Sequence, residues 1–154
     1  MKSAFKDVFL KIIFTLLTLL NVSYAFAEEC EIVISGSDMM RYDTNEIIIQ
    51  NNCKKFVITL KHSGKLPINA MGHNIVFLES KNLQKIISKI NMSHGIGNGF
   101  LPEMEEVLFK SKMIGGGQET TFELDLNVFN RKEEYMFICS FPGHFALMQG
   151  KLKI

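Results

Sequence analysis

Near its end, the chain brings three side chains with metal-binding chemistry close together. Cys139, His144 and Met148 lie within ten residues, and the Pro-Gly pair at 142–143 predicts a tight turn between the first two. A second imidazole, that of His73, stands just before a strand-like apolar run. These residues predict a site in which two loops supply two nitrogen and two sulfur donors, with no carboxylate.

The donor types narrow the choice of metal. Calcium and magnesium prefer oxygen ligands, and zinc usually takes four strong donors and seldom a thioether. Copper is the metal that these exclusions leave. Two histidines, one cysteine and a weak axial methionine form the pattern typical of blue-copper electron-transfer sites. Such a soft set of few ligands suits both Cu(I) and Cu(II), so little has to move when one electron arrives or leaves.

Three other functions use some of the same residues. A Cys-His pair can act as a nucleophile, but the sequence shows neither an oxyanion hole nor a cleft, and Met148 would have no role. A copper chaperone or storage protein stays the alternative, although such sites tend to be exposed and flexible, whereas these donors lie on loops anchored by strands. A disulfide-bonded adhesion sandwich, with Cys139 merely buried, is the third. We expect an electron carrier and not an enzyme.

The N-terminus predicts secretion. Lys2, Lys6 and Lys11 precede an apolar run over residues 12–20, and Ala25-Phe26-Ala27 follows; this pattern is typical of a signal peptide cleaved after residue 27. The apolar run is too short to span a bilayer comfortably. We therefore expect a periplasmic protein without stable membrane association after cleavage, and one domain over residues 28–154, a common domain size.

The charge of the chain excludes some partners. The formal net charge is +1 for the whole chain, and it becomes −1 once the three lysines and one aspartate of residues 1–27 are removed. A balance this close to zero gives no electrostatic footprint for nucleic acid or for an anionic membrane. Partners must be recognised by something other than bulk charge.

With three cysteines, at least one thiol has no disulfide partner within the chain. Three cysteines in an oxidising compartment cannot all pair within the chain. Cys30 and Cys53 lie 23 positions apart, each beside a strand-like run, so this pair could join two neighbouring strands. Cys139 would then be buried and inert, bridged to another molecule, or bound to a metal.

The elements that must position these residues are mostly strands. Short apolar runs bounded by turn residues predict strands near residues 32–34, 47–49, 56–60, 75–78, 121–124, 135–138 and 151–154. A two-sheet antiparallel sandwich is the simplest arrangement of such strands. One amphipathic helix is predicted from Lys81 to Met92, because Leu83, Ile86, Ile87 and Ile90 recur at helical spacing.

Beyond these spacings, residues 28–154 resemble the azurin family of cupredoxins. The matching pieces are residues 29–30, Cys53, 60–64, 66–67, 71–74, 112–115 and 139–148. The resemblance implies an all-β, cupredoxin-like Greek-key sandwich of about eight strands with one external helix, and a disulfide between Cys30 and Cys53. It also implies equatorial copper ligands from His73, Cys139 and His144, with Met148 as the axial ligand and the Gly72 carbonyl as a distant fifth contact.

The chemistry of the ligands and the residues around the two ligand loops predict further roles. Asn74 and the backbone N–H of Phe141 are expected to donate hydrogen bonds to the thiolate. An apolar collar for docking is expected around His144, the exit for the electron, formed by Leu66, Ala70, Met71, Phe141, Phe145 and Ala146. The expected partners of this monomer are a c-type cytochrome or a periplasmic reductase, bound briefly over a small interface. The helix and residues 94–106 match the family poorly.

Overall fold

The computed structural model describes residues 30–154, so the predicted signal peptide, residues 1–27, lies outside the described residues. Nine strands are present in this part of the chain. They are β1 (Glu31–Ser37), β2 (Arg41–Tyr42), β3 (Glu46–Ile48), β4 (Phe56–His62), β5 (Val76–Glu79), β6 (Phe109–Lys110), β7 (Glu119–Leu124), β8 (Tyr135–Ile138) and β9 (Gln149–Lys153). All seven predicted strands are present, and the two that the sequence did not predict, β2 and β6, are two residues long.

The strands form two packed sheets. One has the order β2-β1-β4-β7 and the other the order β3-β9-β8-β5-β6. Most neighbouring pairs are antiparallel, but β1 pairs with β4 and β3 pairs with β9 in parallel. The expectation of a two-sheet sandwich is confirmed, but its strands are not all antiparallel as the sequence analysis expected. The reason is the path of the chain. It crosses from the first sheet to the second at β3 and returns at β4, which then lies beside β1 and runs in the same direction.

The core lies between the sheets and follows the alternation of the strands. In β4, the inward residues Phe56, Ile58 and Leu60 are buried and alternate with more exposed neighbours. Phe77 and Phe137, both fully buried, pair across β5 and β8 and fill the centre. The core therefore depends on phenylalanine and isoleucine, consistent with a chain that has no tryptophan.

The predicted disulfide between Cys30 and Cys53 is present, with a Cα–Cα distance of 5.6 Å. Cys30 directly precedes β1, and its carbonyl accepts a hydrogen bond from the N–H of Val57 in β4 at 2.9 Å. The bridge therefore closes the sandwich at the end where β1 and β4 begin. Cys139 is the free cysteine of the described residues, and it is buried.

Two short α-helices lie outside the sheets, α1 (Ile68–Met71) and α2 (Leu83–Ile87). The apolar stripe of the predicted helix packs as expected on a second core cluster with Val76 and Leu78. The predicted length, Lys81 to Met92, is wrong. Residues 80–82 form a 3₁₀ turn, and after residue 87 the N–H groups of Lys89 and Ile90 bond three residues back, which tightens and ends the helix. None of the helices in residues 30–154 is long and apolar enough to cross a membrane.

Candidate metal centre

His73 is held by the backbone on both sides of its loop. Its N–H donates to the carbonyl of Ile114 at 2.9 Å, and the N–H of Ile114 donates back at 2.9 Å. The ring Nε2 lies 2.9 Å from the Ser37 carbonyl oxygen, which can only accept, so Nε2 carries the proton. Nδ1 is therefore left with its lone pair free. It is buried and makes no hydrogen bond to any of residues 30–154.

Cys139 and His144 lie on one loop at the end of β8. The N–H of Cys139 donates to the Met148 carbonyl at 2.9 Å, which fixes the loop at its base. The N–H of His144 donates to the Phe141 carbonyl at 2.9 Å, and Gly143 has φ +85. That value needs glycine, so the Pro-Gly pair makes the turn that the sequence predicted.

The two loops bring three ligand atoms together. One ligand atom each from His73, Cys139 and His144 lies within 4.8 Å of the others. Cys139 Sγ is 3.8 Å from His144 Nδ1. The two histidines and the cysteine are 0–3% exposed. An unpaired, buried Nδ1 facing a thiol and a second imidazole fits a soft metal ion, because such an atom is costly to bury without a partner.

Met148 and Gly72 lie beside this cluster. Met148 is fully buried, and a Cβ placed on Gly36 would lie 2.7 Å from Cδ2 of His73 and 3.4 Å from the methyl carbon of Met148. The Met148 and His73 side chains therefore both pack against Gly36. The Gly72 carbonyl oxygen lies 3.8 Å from Cys139 Sγ, on the edge of the site.

All three central groups are held in their neutral forms. Burial raises the pKa of the Cys139 thiol to about 11, although N–H groups of Asn74 and Phe141 and the Tyr42 hydroxyl act in the opposite direction. Burial lowers the pKa of His144 to about 4, and the nearby His73 and His62 add to that shift. Burial also lowers the pKa of His73. The imidazoles are thus ready to bind a metal at neutral pH, whereas the thiol must lose its proton first.

The side chain of Asn74 does not point to the sulfur. Its Oδ1 accepts from the N–H of Ser140 at 2.9 Å, and its Nδ2 donates to the Ser140 hydroxyl at 2.9 Å. The backbone N–H of Asn74 therefore acts on the pKa of Cys139, while its side chain joins the two ligand loops by hydrogen bonds. Both residues of this contact are fully buried.

Sequence reasoning missed two residues that support the site. The Tyr42 hydroxyl donates to the Asn74 carbonyl, and burial raises its pKa well above the usual value. The His62 ring stacks on His73, with centroids 4.2 Å apart and an interplanar angle of 11°. His62 Nδ1 accepts from the N–H of Gly64, so Nε2 donates to the Met71 carbonyl at 2.7 Å. No sequence pattern reveals Tyr42, since its strand has two residues.

The predicted docking residues differ in exposure. Leu66 is 41% exposed, and Ala70 and Ala146 are also exposed. Met71 and Phe145 are partly buried and Phe141 is buried. Phe145 packs against the second core cluster beneath α2. Leu147, which the sequence analysis did not single out, is 54% exposed beside His144.

Comparison with known proteins decides the family. A model described as "Copper binding proteins, plastocyanin/azurin family" matches residues 28–154. The chain belongs to the plastocyanin/azurin family. An azurin from Pseudomonas aeruginosa is 38% identical over 141 residues, which cover 91% of this chain and 94% of that protein. An azurin from Bordetella pertussis is 40% identical over 129 residues, 83% of this chain and 85% of that protein.

A solved azurin structure agrees with the fold. The azurin of Methylomonas sp. strain J has a TM-score of 0.74 and 32% identity, over 80% of this chain and 96% of that one. The predicted cupredoxin fold and the predicted copper cofactor are thereby confirmed. As a member of the azurin family, the protein is a type 1 copper protein that transfers electrons with partner proteins, and it is not an enzyme.

Proposed function

We propose that this protein carries single electrons in the periplasm through one copper ion held by His73, Cys139, His144 and Met148. His73 and His144 would hold the ion through Nδ1 and Cys139 through its sulfur, with Met148 as a weaker donor and the Gly72 carbonyl as a more distant contact. The single observation that carries this proposal is the buried His73 Nδ1, which makes no hydrogen bond to any of residues 30–154 and faces the thiol.

Bound copper supplies a one-electron Cu(II)/Cu(I) couple. The residues around it keep their positions through that change. The Ser37 carbonyl fixes the His73 ring, and the Cys139 N–H is tied to Met148. The backbone N–H groups of Asn74 and Phe141, which oppose the rise in the pKa of Cys139, would donate to the thiolate and lower its electron density. A site fixed on three sides changes little between oxidation states, which favours fast electron transfer.

Burial of the donors argues against the chaperone or storage alternative. A protein that hands copper to another molecule needs ligands that a partner can reach. Here Cys139 and His73 are fully inside and His144 is 3% exposed. Water and competing ligands are excluded, so the electron can leave while the ion stays.

His144 provides the exit for the electron in this proposal. Gly143 before it and Ala146 and Leu147 after it are exposed, whereas the residues around His73 and Cys139 are buried. The exposed members of the apolar collar, Leu66, Ala70 and Ala146, supply the contact with a c-type cytochrome or a periplasmic reductase. Its other members, Met71, Phe141 and Phe145, are partly or fully buried. A small apolar patch suits brief encounters of a monomeric carrier.

Residues 1–27 are proposed as the cleaved signal peptide, with residues 28–154 as the mature domain. The family match begins at residue 28, and a disulfide between Cys30 and Cys53 suits an oxidising compartment.

Copper titration tests the site directly. Cu(II) added to the mature protein should give an intense thiolate-to-copper absorption that saturates at one equivalent and vanishes on reduction. In Cys139→Ser that absorption should be absent, because a hydroxyl cannot replace the thiolate. A colourless copper complex of the unmodified protein would favour a chaperone, and a preference for zinc without redox activity would refute the carrier function.

A charged substitution in the apolar collar tests the docking proposal. Leu66→Glu should slow electron transfer to a c-type cytochrome roughly tenfold, since a buried apolar contact would become a desolvated charge. Val128→Glu, at a residue 47% exposed on the 3₁₀ turn Leu126–Val128 that follows β7, is the matched control and should leave the rate unchanged. Equal rates for the two variants in stopped-flow measurements would place the docking surface elsewhere.

A further inference from the structure

Residues 92–101, called the support loop below, lie between α2 and β6 and supply no metal ligand. The loop contains two 3₁₀ turns, Met92–His94 and Ile96–Asn98. The N–H of Asn91 donates to the Phe100 carbonyl at 2.8 Å, and the N–H of Phe100 donates to the Gly95 carbonyl at 3.0 Å. The loop thus closes on itself through backbone hydrogen bonds and forms a compact unit.

One carbonyl of this loop reaches the interior of the metal centre. The Ser140 hydroxyl donates to the Gly99 carbonyl at 2.6 Å. The same hydroxyl oxygen accepts from Asn74 Nδ2 at 2.9 Å, so a single buried group joins the support loop to both ligand loops. Residue 99 has φ +60, and a Cβ there would lie 2.9 Å from Asn74 Nδ2. Both the conformation and the space therefore require glycine.

The next residue contacts the ligand loop through its ring. Phe100 is 2% exposed and has φ +58, a left-handed conformation that a bulky side chain seldom adopts. Its ring meets the Phe141 ring edge to face, with centroids 5.2 Å apart and an angle of 83°. A conformation of this kind persists only where the surroundings compensate for it. The compensating contact here is with Phe141, two residues after Cys139.

The outer side of the loop is also fastened. Lys110 in β6 donates through Nζ to the Asn98 carbonyl at 2.9 Å. On the inner side, the Phe141 ring lies 4.4 Å from the His144 ring, and the Phe141 N–H is one of the groups that oppose the rise in the pKa of Cys139. A continuous series of contacts therefore runs from the sheet edge through Gly99 and Phe100 to the ligand loop.

We propose that the support loop is a positioning element of the copper centre, in which Gly99 and Phe100 hold Ser140 and Phe141 so that the Phe141 N–H stays directed at the Cys139 sulfur. This inference rests on the proposed copper ligation. A hydrogen bond to the thiolate withdraws electron density from sulfur, which stabilises Cu(I) relative to Cu(II) and raises the reduction potential. Releasing Phe141 should therefore lower that potential.

The variant Phe100→Leu tests the ring contact while keeping an apolar side chain. We expect Cu(II) to be favoured over Cu(I) by about tenfold relative to the unmodified protein, equivalent to a fall of about 59 mV for a one-electron couple. We also expect amide hydrogen exchange of Phe141, measured by NMR on the Cu(I) protein, to be about tenfold faster.

Phe129→Leu is the matched control. Phe129 is 8% exposed and also meets an aromatic ring edge to face, that of Tyr135, at 4.9 Å and 83°. It packs in the main core with Phe77 and Tyr135, and not in the cluster that contains Phe100, Phe141 and Cys139. Phe129→Leu should lower the free energy of unfolding as much as Phe100→Leu does. It should leave the reduction potential and the Phe141 exchange rate unchanged.

The hydroxyl is tested separately, which keeps the inference testable if Phe100→Leu fails to fold. Ser140→Ala should lower the potential in the same direction, and Ser140→Thr, which keeps the hydroxyl, should restore it. Ser111→Ala is the control, because the buried Ser111 hydroxyl also bonds two backbone groups, the Ile75 N–H at 2.9 Å and the Lys112 carbonyl at 3.1 Å. It should leave the potential unaltered.

The outcomes separate the two proposals. If Phe100→Leu and Ser140→Ala keep the potential and the Phe141 exchange rate of the unmodified protein, the support loop only packs against the site and the inference is wrong. If the unmodified protein shows no thiolate-to-copper absorption, the proposed ligation itself fails.

Discussion

The inward face of β4 changes character from one end of the sandwich to the other. At the disulfide end, Phe56, Ile58 and Leu60 are buried in an apolar core. At the metal end, the same face ends in His62, which is 2% exposed. Within residues 30–154, five of the six buried polar residues lie at the metal end, and they are His62, His73, Asn74, Ser140 and His144. The sixth, Ser111, bonds the backbone of Ile75 and Lys112 instead.

The two ends are therefore stable for different reasons. The disulfide end gains free energy by removing apolar surface from water and by one covalent bridge. The metal end buries polar groups, which is unfavourable unless each finds a partner. Within residues 30–154, each buried side-chain nitrogen or oxygen finds a hydrogen-bond partner except His73 Nδ1, whose partner is proposed to be the metal. The comparison implies that substitutions at the disulfide end change stability and those at the metal end change copper chemistry.

The largest expected effect on stability comes from the disulfide end. Phe56→Ala should lower the free energy of unfolding by about 3–5 kcal/mol, because it leaves a cavity in a core where Phe56 is 2% exposed. Urea unfolding of the copper-free protein measures the loss. The thiolate-to-copper absorption of the folded fraction should not change. A shifted absorption band in this variant would show that the two ends are not separable.

Acid should destabilise the copper-free protein through the metal end. The pKa of His144 is about 4 in the folded chain and near 6.5 when unfolded. As pH falls from 6.5 towards 4, the unfolded chain takes up a proton that the folded chain does not, so the free energy of unfolding falls. His73, whose pKa is also lowered, acts in the same direction. Denaturant titrations between pH 7 and 4 should show this decline.

The control for that pH dependence is His144→Gln, which removes the titrating imidazole. Its free energy of unfolding should fall less steeply over the same pH interval. Parallel profiles for the two proteins would mean that burial does not hold His144 neutral, and the contrast between the ends would weaken.

The smallest expected effect compares two tyrosine hydroxyls, one at each end. Tyr42→Phe removes the donor to the Asn74 carbonyl but keeps the ring against Phe137, at 5.6 Å between centroids. Tyr135→Phe removes the hydroxyl that accepts from the Asn130 N–H at 2.6 Å. Each should cost about 1 kcal/mol in the free energy of unfolding.

Only Tyr42→Phe should also shift the copper absorption band, because Asn74 follows the proposed ligand His73 and its backbone N–H is one of the groups that oppose the rise in the pKa of Cys139. Visible spectra of the two variants decide the point. Identical spectra would show that the Tyr42 hydroxyl supports the fold alone.

Much of the fold and of the candidate site could be predicted from the sequence alone. Apolar alternation predicted seven strands, because the period of a strand is local and visible in a few residues. Ligand chemistry indicated copper from the residue types alone, since thiol, imidazole and thioether donors suit few other metals. The apolar stripe of α2 was predicted correctly for the same local reason, whereas its length was not, because the 3₁₀ bonds that end the helix depend on its surroundings.

Only the tertiary structure decided which distant groups meet. The parallel pairing of β1 with β4 depends on where the chain crosses between sheets. The Ser37 carbonyl selects the His73 tautomer from 36 residues away, and the Gly99 carbonyl meets Ser140 from 41 residues away. Contacts over such separations follow from the packing of the sheets, and no local periodicity encodes them. The ligand types were therefore set by sequence, and their protonation and orientation by the fold.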